Sequence, residues 1–223
     1  MTTLIWDVYA RSYDVVATLT PYRKMVGELM GEVPDGPRRV LDAGCGTGNL
    51  TAAVRARQPA EIVAVDASEA MLERSRRKNA GVVHLRADLN GDLADVTGEF
   101  DVILCGNVLY ALADPARTVA LLKSRLSPGG RLVVTTPRAG AGMRAILGEH
   151  IRDRGIVSLG RVIVPLLAVG VVNARLLHSP AHHFLSRAEL SAMLGTERIR
   201  TTYSGQAWLA VYEHGRAGDT AGR

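Results

Sequence analysis

Val40-Leu41-Asp42-Ala43-Gly44-Cys45-Gly46-Thr47-Gly48-Asn49-Leu50-Thr51 decides the fold of this chain. An apolar run breaks into glycines at every second position, and a helix-compatible run follows. That pattern predicts a buried strand, a turn pressed against a ligand, and a helix start facing negative charge. A dinucleotide fold wants G-x-G-x-x-G, whose third glycine lets the helix pack closely on the strand. Here Gly44, Gly46 and Gly48 give G-x-G-x-G, and Asn49 stands where that third glycine belongs. The frame from Gly46 fails too, because Thr51 fills its last position. Asp42 adds a carboxylate beside the loop, which repels a pyrophosphate and attracts a cationic amino group. The spacing therefore counts against a nicotinamide oxidoreductase.

Outward from the loop, strands and helices alternate. Glu61 to Asp66 predicts a second strand ending in an acid, and Ala67-Ser68 leads into a helix reaching about Lys78. Val82 to Asp88 predicts a third strand, again ending in an acid, and Phe100 to Cys105 a fourth. Asp114-Pro115 opens a helix to about Leu126, with Pro at its first position. Ser127-Pro128-Gly129-Gly130 predicts a turn, and Arg131 to Thr136 a fifth strand. Such alternation implies a parallel sheet covered on both faces, with ligands at the carboxyl ends of its strands. Met143, Ile146, Leu147 and Ile151 recur at helical spacing. Ser186 and Glu189 form a capping-box pattern, and Arg198–Tyr203 with Gln206–Tyr212 predict a closing hairpin.

The loop and the strand ends together resemble the class I S-adenosylmethionine-dependent methyltransferases of the small-molecule type, over Arg38 to Thr136. The resemblance implies a Rossmann-like, mostly parallel seven-stranded sheet with helices on both faces. A helical lid insertion precedes the C-terminal hairpin. It implies S-adenosyl-L-methionine as cofactor, held by the loop residues Asp42, Gly44, Cys45, Gly46 and Asn49. Asp66 then holds the ribose hydroxyls, with Ala67 beside it, and Asp88 accepts from the adenine amino group. Met71 and Leu89 wall the ring, while Cys105, Asn107 and Tyr110 approach the methionine portion. Leu126-Ser127-Pro128-Gly129-Gly130-Arg131-Leu132 also resembles this family's approach to its fifth strand. Trp6 to Asp14 resembles the aromatic and acidic segment that folds over the cofactor, with Tyr13 shielding the sulfonium. The same residues also read as an amphipathic helix that packs through Trp6, Tyr9 and Tyr13.

One methyltransferase domain over 1–214 is expected. It divides into an N-terminal helical cap (1–37), a cofactor-binding core (38–137), a helical lid and substrate region (138–185) and a C-terminal helix and hairpin (186–214). A disordered tail over 215–223 follows. A sulfonium methyl needs mainly in-line placement of a nucleophile, and a base only if the acceptor must lose a proton. Candidate bases are Tyr110, His150, His182 and His183; none carries a catalytic assignment, and the two adjacent histidines read equally as surface residues. The Ile/Val/Leu-rich stretch from Ile156 to Leu177 points to an apolar small-molecule acceptor, such as a secondary metabolite or lipid-like compound. A cofactor-binding protein that does not methylate, either a cofactor-assisted cyclase or a regulatory partner, is the alternative.

The net charge of +5 comes largely from scattered arginines without interleaved aromatics, which reads as solvated surface rather than a nucleic-acid footprint. Asn107-Val108-Leu109-Tyr110 stands where many nucleic-acid amino methylases carry Asn/Asp-Pro-Pro-Tyr, so no nucleic-acid partner is expected. Cys45 and Cys105 lack metal-ligand spacing, so no metal is expected and both should be buried, reduced thiols. The uncharged run Val162–Ala174 is too short for a stable membrane span and is interrupted by Pro165; a lid, a dimer face or peripheral membrane contact remain open. With no N-terminal signal pattern, a cytoplasmic protein is expected, as a monomer or homodimer.

Overall fold

The computed structural model describes residues 10, 13–140, 142–161 and 182–215. Trp6, Tyr9, most of the apolar run over 162–181 and the expected tail beyond 215 lie outside the described residues.

Seven strands form one sheet: β1 (Arg39–Ala43), β2 (Glu61–Asp66), β3 (Val83–Arg86), β4 (Phe100–Gly106), β5 (Leu126–Pro137), β6 (Ile199–Thr202) and β7 (Ala207–Glu213). Their order is β3-β2-β1-β4-β5-β7-β6. The first five run parallel, and β7 is antiparallel to both β5 and β6. The chain winds outward from β1 to β3 and then returns to β4 on the other side of β1. Strand order thus reverses between β1 and β4, and a crevice opens above their carboxyl ends. The glycine loop follows β1 at that point, and Asn107 follows β4.

Helices cover both faces: α1 (Thr20–Met30), α2 (Asn49–Val54), α3 (Glu69–Lys78), α4 (Pro115–Lys123), α5 (Met143–Arg154) and α6 (Arg187–Leu194). On one face α1 and α2 bring Leu29, Met30, Leu50 and Val54 against Val40, Leu104 and Val133. On the other, Val119 and Leu122 of α4 with Leu190 and Leu194 of α6 meet Leu41, Ile103 and Leu132. The near-continuous apolar strands are what burial on both faces demands. Helix starts follow local chemistry. The Asp114 carboxylate accepts from the Arg117 N–H before Pro115 opens α4, and Ser186 and Glu189 complete the expected capping box of α6. Cys45 and Cys105 are buried free thiols, as their positions at strand ends predicted.

The chain departs from expectation at Ser127-Pro128-Gly129-Gly130. These residues are not a turn before β5 but part of it. Leu126 already pairs with Phe100, and the register shifts before Arg131 pairs with Val102. The extra residues bulge outward while the flanks stay paired. A side chain at Gly130 would meet the carbonyl oxygens of Ser127 and Phe100 at 2.8 and 2.9 Å, so only glycine lets the bulge lie this close to β4.

Gly48 explains the third glycine of the loop. Its φ is +80°, and a side chain there would collide with Ser75 and Asn79 of the neighbouring helix end. The buried Asn79 Nδ2 donates to the Gly48 carbonyl at 3.0 Å, locking that approach. Gly48→Ala therefore combines a left-handed backbone with overpacking, and should destabilise the protein by about 2–4 kcal/mol. The urea unfolding midpoint measures this.

Candidate functional site: the crevice above β1, β2 and β4

The loop is held from beneath and from the side. The Gly44 and Cys45 N–H groups both donate to the Val65 carbonyl, at 2.8 and 2.9 Å. The Asp66 carboxylate receives the Gly46 N–H on one oxygen and the Ser68 N–H on the other, each at 2.9 Å. Ser68 then caps α3 by accepting from the Met71 N–H at 3.2 Å. This seats Met71, which is buried, with its sulfur 4.0 Å from where a Gly46 side chain would begin. A side chain at Gly44 would strike Val108 of the loop after β4, so the crevice floor is two chain segments in close contact.

Polar atoms around the loop are only partly satisfied within the protein. Asp42 is fully buried; one carboxylate oxygen accepts from the Thr51 hydroxyl at 2.6 Å, and the other has no partner among the described residues. Asn107 Oδ1 is likewise buried without a partner among the described residues, while the Asn49 side chain bonds the Tyr22 hydroxyl. Buried polar groups are normally hydrogen-bonded, so such a cluster marks a ligand's place. Two orphan acceptors, Asp42 Oδ1 and Asn107 Oδ1, suit a group bearing an ammonium. Burial raises the Asp42 pKa to about 6, with the nearby Asp66 charge adding to the shift and the Thr51 hydroxyl opposing it.

The other expected positions are distributed as follows. Asp88 is exposed just beyond β3, and its Oδ1 accepts from both the backbone N–H and the side-chain amide of Asn90 at 2.9 Å. Ala67 is half-buried beside Asp66, and its carbonyl accepts from Arg86. Leu89 and Cys105 point into the core on the α4 side, so Cys105 can meet the crevice only through its backbone. Its thiol is pushed up to about 12 by burial. Asn107 takes a positive φ of 55°, which turns the chain out of β4 across the crevice.

The cap is latched onto the loop. Asp14 accepts from the Thr47 hydroxyl at 2.6 Å and pairs with Lys78, whose ammonium also reaches Asn49 Oδ1 at 3.0 Å. Tyr13 hydrogen-bonds with Tyr22, and burial raises its hydroxyl to about 12. Tyr22 packs edge-on against Tyr203, ring centroids 6.3 Å apart. Tyr110 stacks on Phe184 at 5.7 Å and lies 5.5 Å from the His182 ring. The chain has only two Phe, two Trp and six Tyr, so their gathering here is not incidental. Burial also raises the Tyr22, Tyr110 and Tyr203 hydroxyls well above the ordinary value. At neutral pH they are therefore protonated donors rather than bases.

Of the candidate bases, His183 sits at the start of α6: its backbone N–H donates to the Tyr110 carbonyl and its ring bonds Glu189 at 3.0 Å. Glu189 is held down to about 2, chiefly by the Ser186 N–H and hydroxyl. His150 is buried beneath the cap. Its Nδ1 accepts from the Thr20 N–H at 3.2 Å and its Nε2 lies 3.2 Å from the Ser158 hydroxyl, tying α1 to α5. Tyr110 and His182 stand together at the aromatic wall. The sequence reading missed Tyr22 and Tyr203, which carry no motif; the general scarcity of aromatics was the one signal that could have found them.

Comparison with known proteins agrees with this geometry. A family model described as a methyltransferase domain matches residues 20–191. The chain is 34% identical over 181 residues to a trans-aconitate 2-methyltransferase from Methylobacterium radiotolerans, covering 72% of this chain and 68% of that protein. It is 31% identical to a malonyl-[acyl-carrier protein] O-methyltransferase from Anoxybacillus flavithermus, covering 57% of this chain. That match spans 49% of the relative, and the chain spans about half the length, or less, of several other relatives. The crystal structure of the N-methyltransferase NodS from Bradyrhizobium japonicum WM9 with S-adenosyl-L-homocysteine shares the fold, with a TM-score of 0.60 at 14% identity. It covers 93% of this chain and 98% of that one. Glycine loop, strand-end acids, sheet order and family match converge: the chain belongs to the class I S-adenosylmethionine-dependent methyltransferases.

Proposed function

We propose that the protein transfers the methyl group of S-adenosylmethionine to a small-molecule acceptor whose body is apolar. The observation that carries this reading is the crevice itself. It has a partly unsatisfied polar floor at Asp42 and Asn107, a ribose-type carboxylate at Asp66, and an aromatic wall of Tyr110 and Phe184 beside it. The cofactor supplies a methyl already activated on a sulfonium.

In this reading Asp42 and Asn107 accept from the methionine ammonium. The Asp66 carboxylate accepts from the ribose hydroxyls, two oxygens matching two adjacent donors. Met71 lies against the adenosine, with Gly44, Cys45, Gly46, Ala67, Leu89 and Cys105 contributing backbone or shape, and Asp88 offers its carboxylate at the rim. Tyr13 and the latched cap over 1–37 exclude water from the sulfonium. The acceptor region is 138–185, with Tyr110 and His182 nearest the wall and His183 serving α6. The relatives' names specify trans-aconitate and malonyl-[acyl-carrier protein] rather than an apolar acceptor; the aromatic wall and the Ile/Val/Leu-rich stretch are what support apolarity here. Among the described residues no helix is long and apolar enough to cross a membrane.

The decisive experiment incubates the protein with methyl-labelled cofactor and a panel of acceptors. Label in an acceptor with release of S-adenosylhomocysteine supports transfer, whereas binding without turnover favours the non-methylating alternative. Asp66→Ala should weaken S-adenosylhomocysteine binding by about 1–3 kcal/mol, because it strips acceptors from ribose hydroxyls and frees the Gly46 N–H. Calorimetric titration reads this, and unchanged affinity would remove Asp66 from the site.

Asp42 yields a prediction with opposite signs for stability and binding. Its raised pKa means the folded protein prefers the protonated acid. The associated stability is full below the ordinary carboxylate value and is lost as pH rises through about 6. Asp42→Asn should therefore stabilise the cofactor-free protein near about pH 7.5, by about 1–3 kcal/mol. The ammonium needs the ionised form, so wild-type affinity for S-adenosylhomocysteine should fall as pH drops below about 6, and the Asn variant should bind weakly without that pH slope. Thermal melts and titrations across pH check both.

A further inference from the structure

We propose that Thr135 is a further binding residue for the methyl donor, its hydroxyl donating to the carboxylate of the methionine end; this rests on the cofactor reading above. The sheet register places it. Asp42 pairs with Leu104, and Leu104 with Val133, so the three share a row and a face. That face is covered by α1 and α2: Leu104 and Val133 meet Leu29 and Leu50 there, and the Asp42 carboxylate meets Thr51. Thr135 stands one pleat beyond Val133 on the same face, towards the end of β5 that opens on the crevice. It pairs with Gly106, its carbonyl receives the Asn107 N–H at 2.7 Å, and its Oγ1 lies 3.8 Å from where a Gly106 side chain would begin. The Asn107 amide is on this side too, since its Nδ2 meets the Met25 sulfur of α1 at 3.8 Å.

Three neighbouring strands, β1, β4 and β5, thus each bring a polar side chain to one face near the crevice. Each carries a buried oxygen without a partner among the described residues: Asp42 Oδ1, Asn107 Oδ1 and Thr135 Oγ1. Thr135 itself is fully buried. A buried, unpartnered hydroxyl costs about 1–3 kcal/mol, and valine has nearly the same shape and a similar preference for strands. Packing therefore gives no reason for a hydroxyl here. Thr136 provides the contrast: it is as buried and as unpartnered, but alternation turns it with Leu132 and Val134 towards the opposite helices.

The three atoms differ in what they offer a ligand. An ionised Asp42 and the Asn107 carbonyl only accept, which suits the ammonium, whereas a hydroxyl also donates. Of the three, Thr135 alone can answer the carboxylate attached one carbon from that ammonium. The Tyr22 hydroxyl of α1 is already engaged with Asn49 and Tyr13. Reach agrees with this assignment. Strands β4 and β5 lie about 4.8 Å apart, so a headgroup whose ammonium sits on Asn107 brings its neighbouring carboxylate to Thr135. Both ends of the amino acid are then held by neutral or acidic groups of one sheet face, and the hydroxyl gains the partner it lacks.

The test is calorimetric titration of the full chain with S-adenosylhomocysteine and with its decarboxylated analogue, which keeps the ammonium and lacks the carboxylate. Thr135→Val should raise the Kd for S-adenosylhomocysteine by about tenfold or more, as for loss of a hydrogen bond to a charged group, and that for the analogue by less than about twofold. Thr135→Ser keeps the hydroxyl and should stay within about threefold of wild type. Thr136→Val should bind as wild type does. Without ligand, Thr135→Val should melt no lower than wild type, because the hydroxyl it removes is unpartnered; a merely structural hydroxyl predicts a lower midpoint. Four results would each overturn the proposal: unchanged affinity for S-adenosylhomocysteine in Thr135→Val, an equal loss for the analogue, an equal loss in Thr136→Val, or a lower melting midpoint of ligand-free Thr135→Val. The methyl-donor reading survives all four. Failure of wild type to bind S-adenosylhomocysteine would remove that reading, and the proposal with it.

Discussion

The carboxylate of Asp66 is the constraint from which the site is built. By taking the Gly46 N–H on one oxygen and the Ser68 N–H on the other, it joins the loop after β1 to the start of α3. The Val65 carbonyl holds Gly44 and Cys45 from beneath, and Asp66 is what ties the loop to the helix. Backbone N–H groups in an irregular loop must find acceptors, and an ionised acceptor makes the strongest such bond. With Ser68 fixed, its hydroxyl caps α3 and Met71 turns over Gly46. With α3 fixed, Ser75 and Asn79 come so close to Gly48 that no side chain fits there. One strand-end acid thus sets both the shape of the loop and the wall opposite it.

The charge arrangement around that loop is costly to the folded chain, and the cost has a use. Asp42 is buried with one oxygen unpartnered, which disfavours its ionised form. On the proposed reading a ligand ammonium supplies the missing counter-charge, and the desolvation cost of the carboxylate is then offset on binding. The cap works in the opposite sense. Asp14 pairs with Lys78, both about a third exposed at 34% and 32%, and accepts from the hydroxyl of the fully buried Thr47. A part-exposed ion pair contributes little by itself, so the buried Thr47 hydroxyl carries much of this attachment.

How much of this was legible in the linear chain depends on sequence distance. Gly44 to Asn49, Asp66 after an apolar run, and Ser186 with Glu189 are readable because each meaning is carried by neighbours within a few residues. The Ser127–Gly130 segment misled, because Pro and Gly mark a turn locally, whereas pairing of Leu126 with Phe100 draws the segment into β5 as a bulge. Tyr13 and Tyr110 were named through the family resemblance, whereas Tyr22 and Tyr203, which meet at 6.3 Å, were not legible, since they come from separate elements and share no spacing. His150 was read as a candidate base, yet it is bonded to Thr20, 130 positions away, and to Ser158.

By itself the sequence determined the sheet, its glycine loop and the class of methyl donor, because strand periodicity, left-handed turns and helix caps are properties of contiguous residues. Only the tertiary structure decided which distant residues meet beyond the loop. It set Arg138 on Trp208, buried Thr136 one pleat away, and brought Phe184 onto Tyr110. The antiparallel return of β7 beside β5 sets Trp208 against Thr136, the segment before α6 carries Phe184 to Tyr110, and contacts of such long range leave no periodic trace in the residues they join.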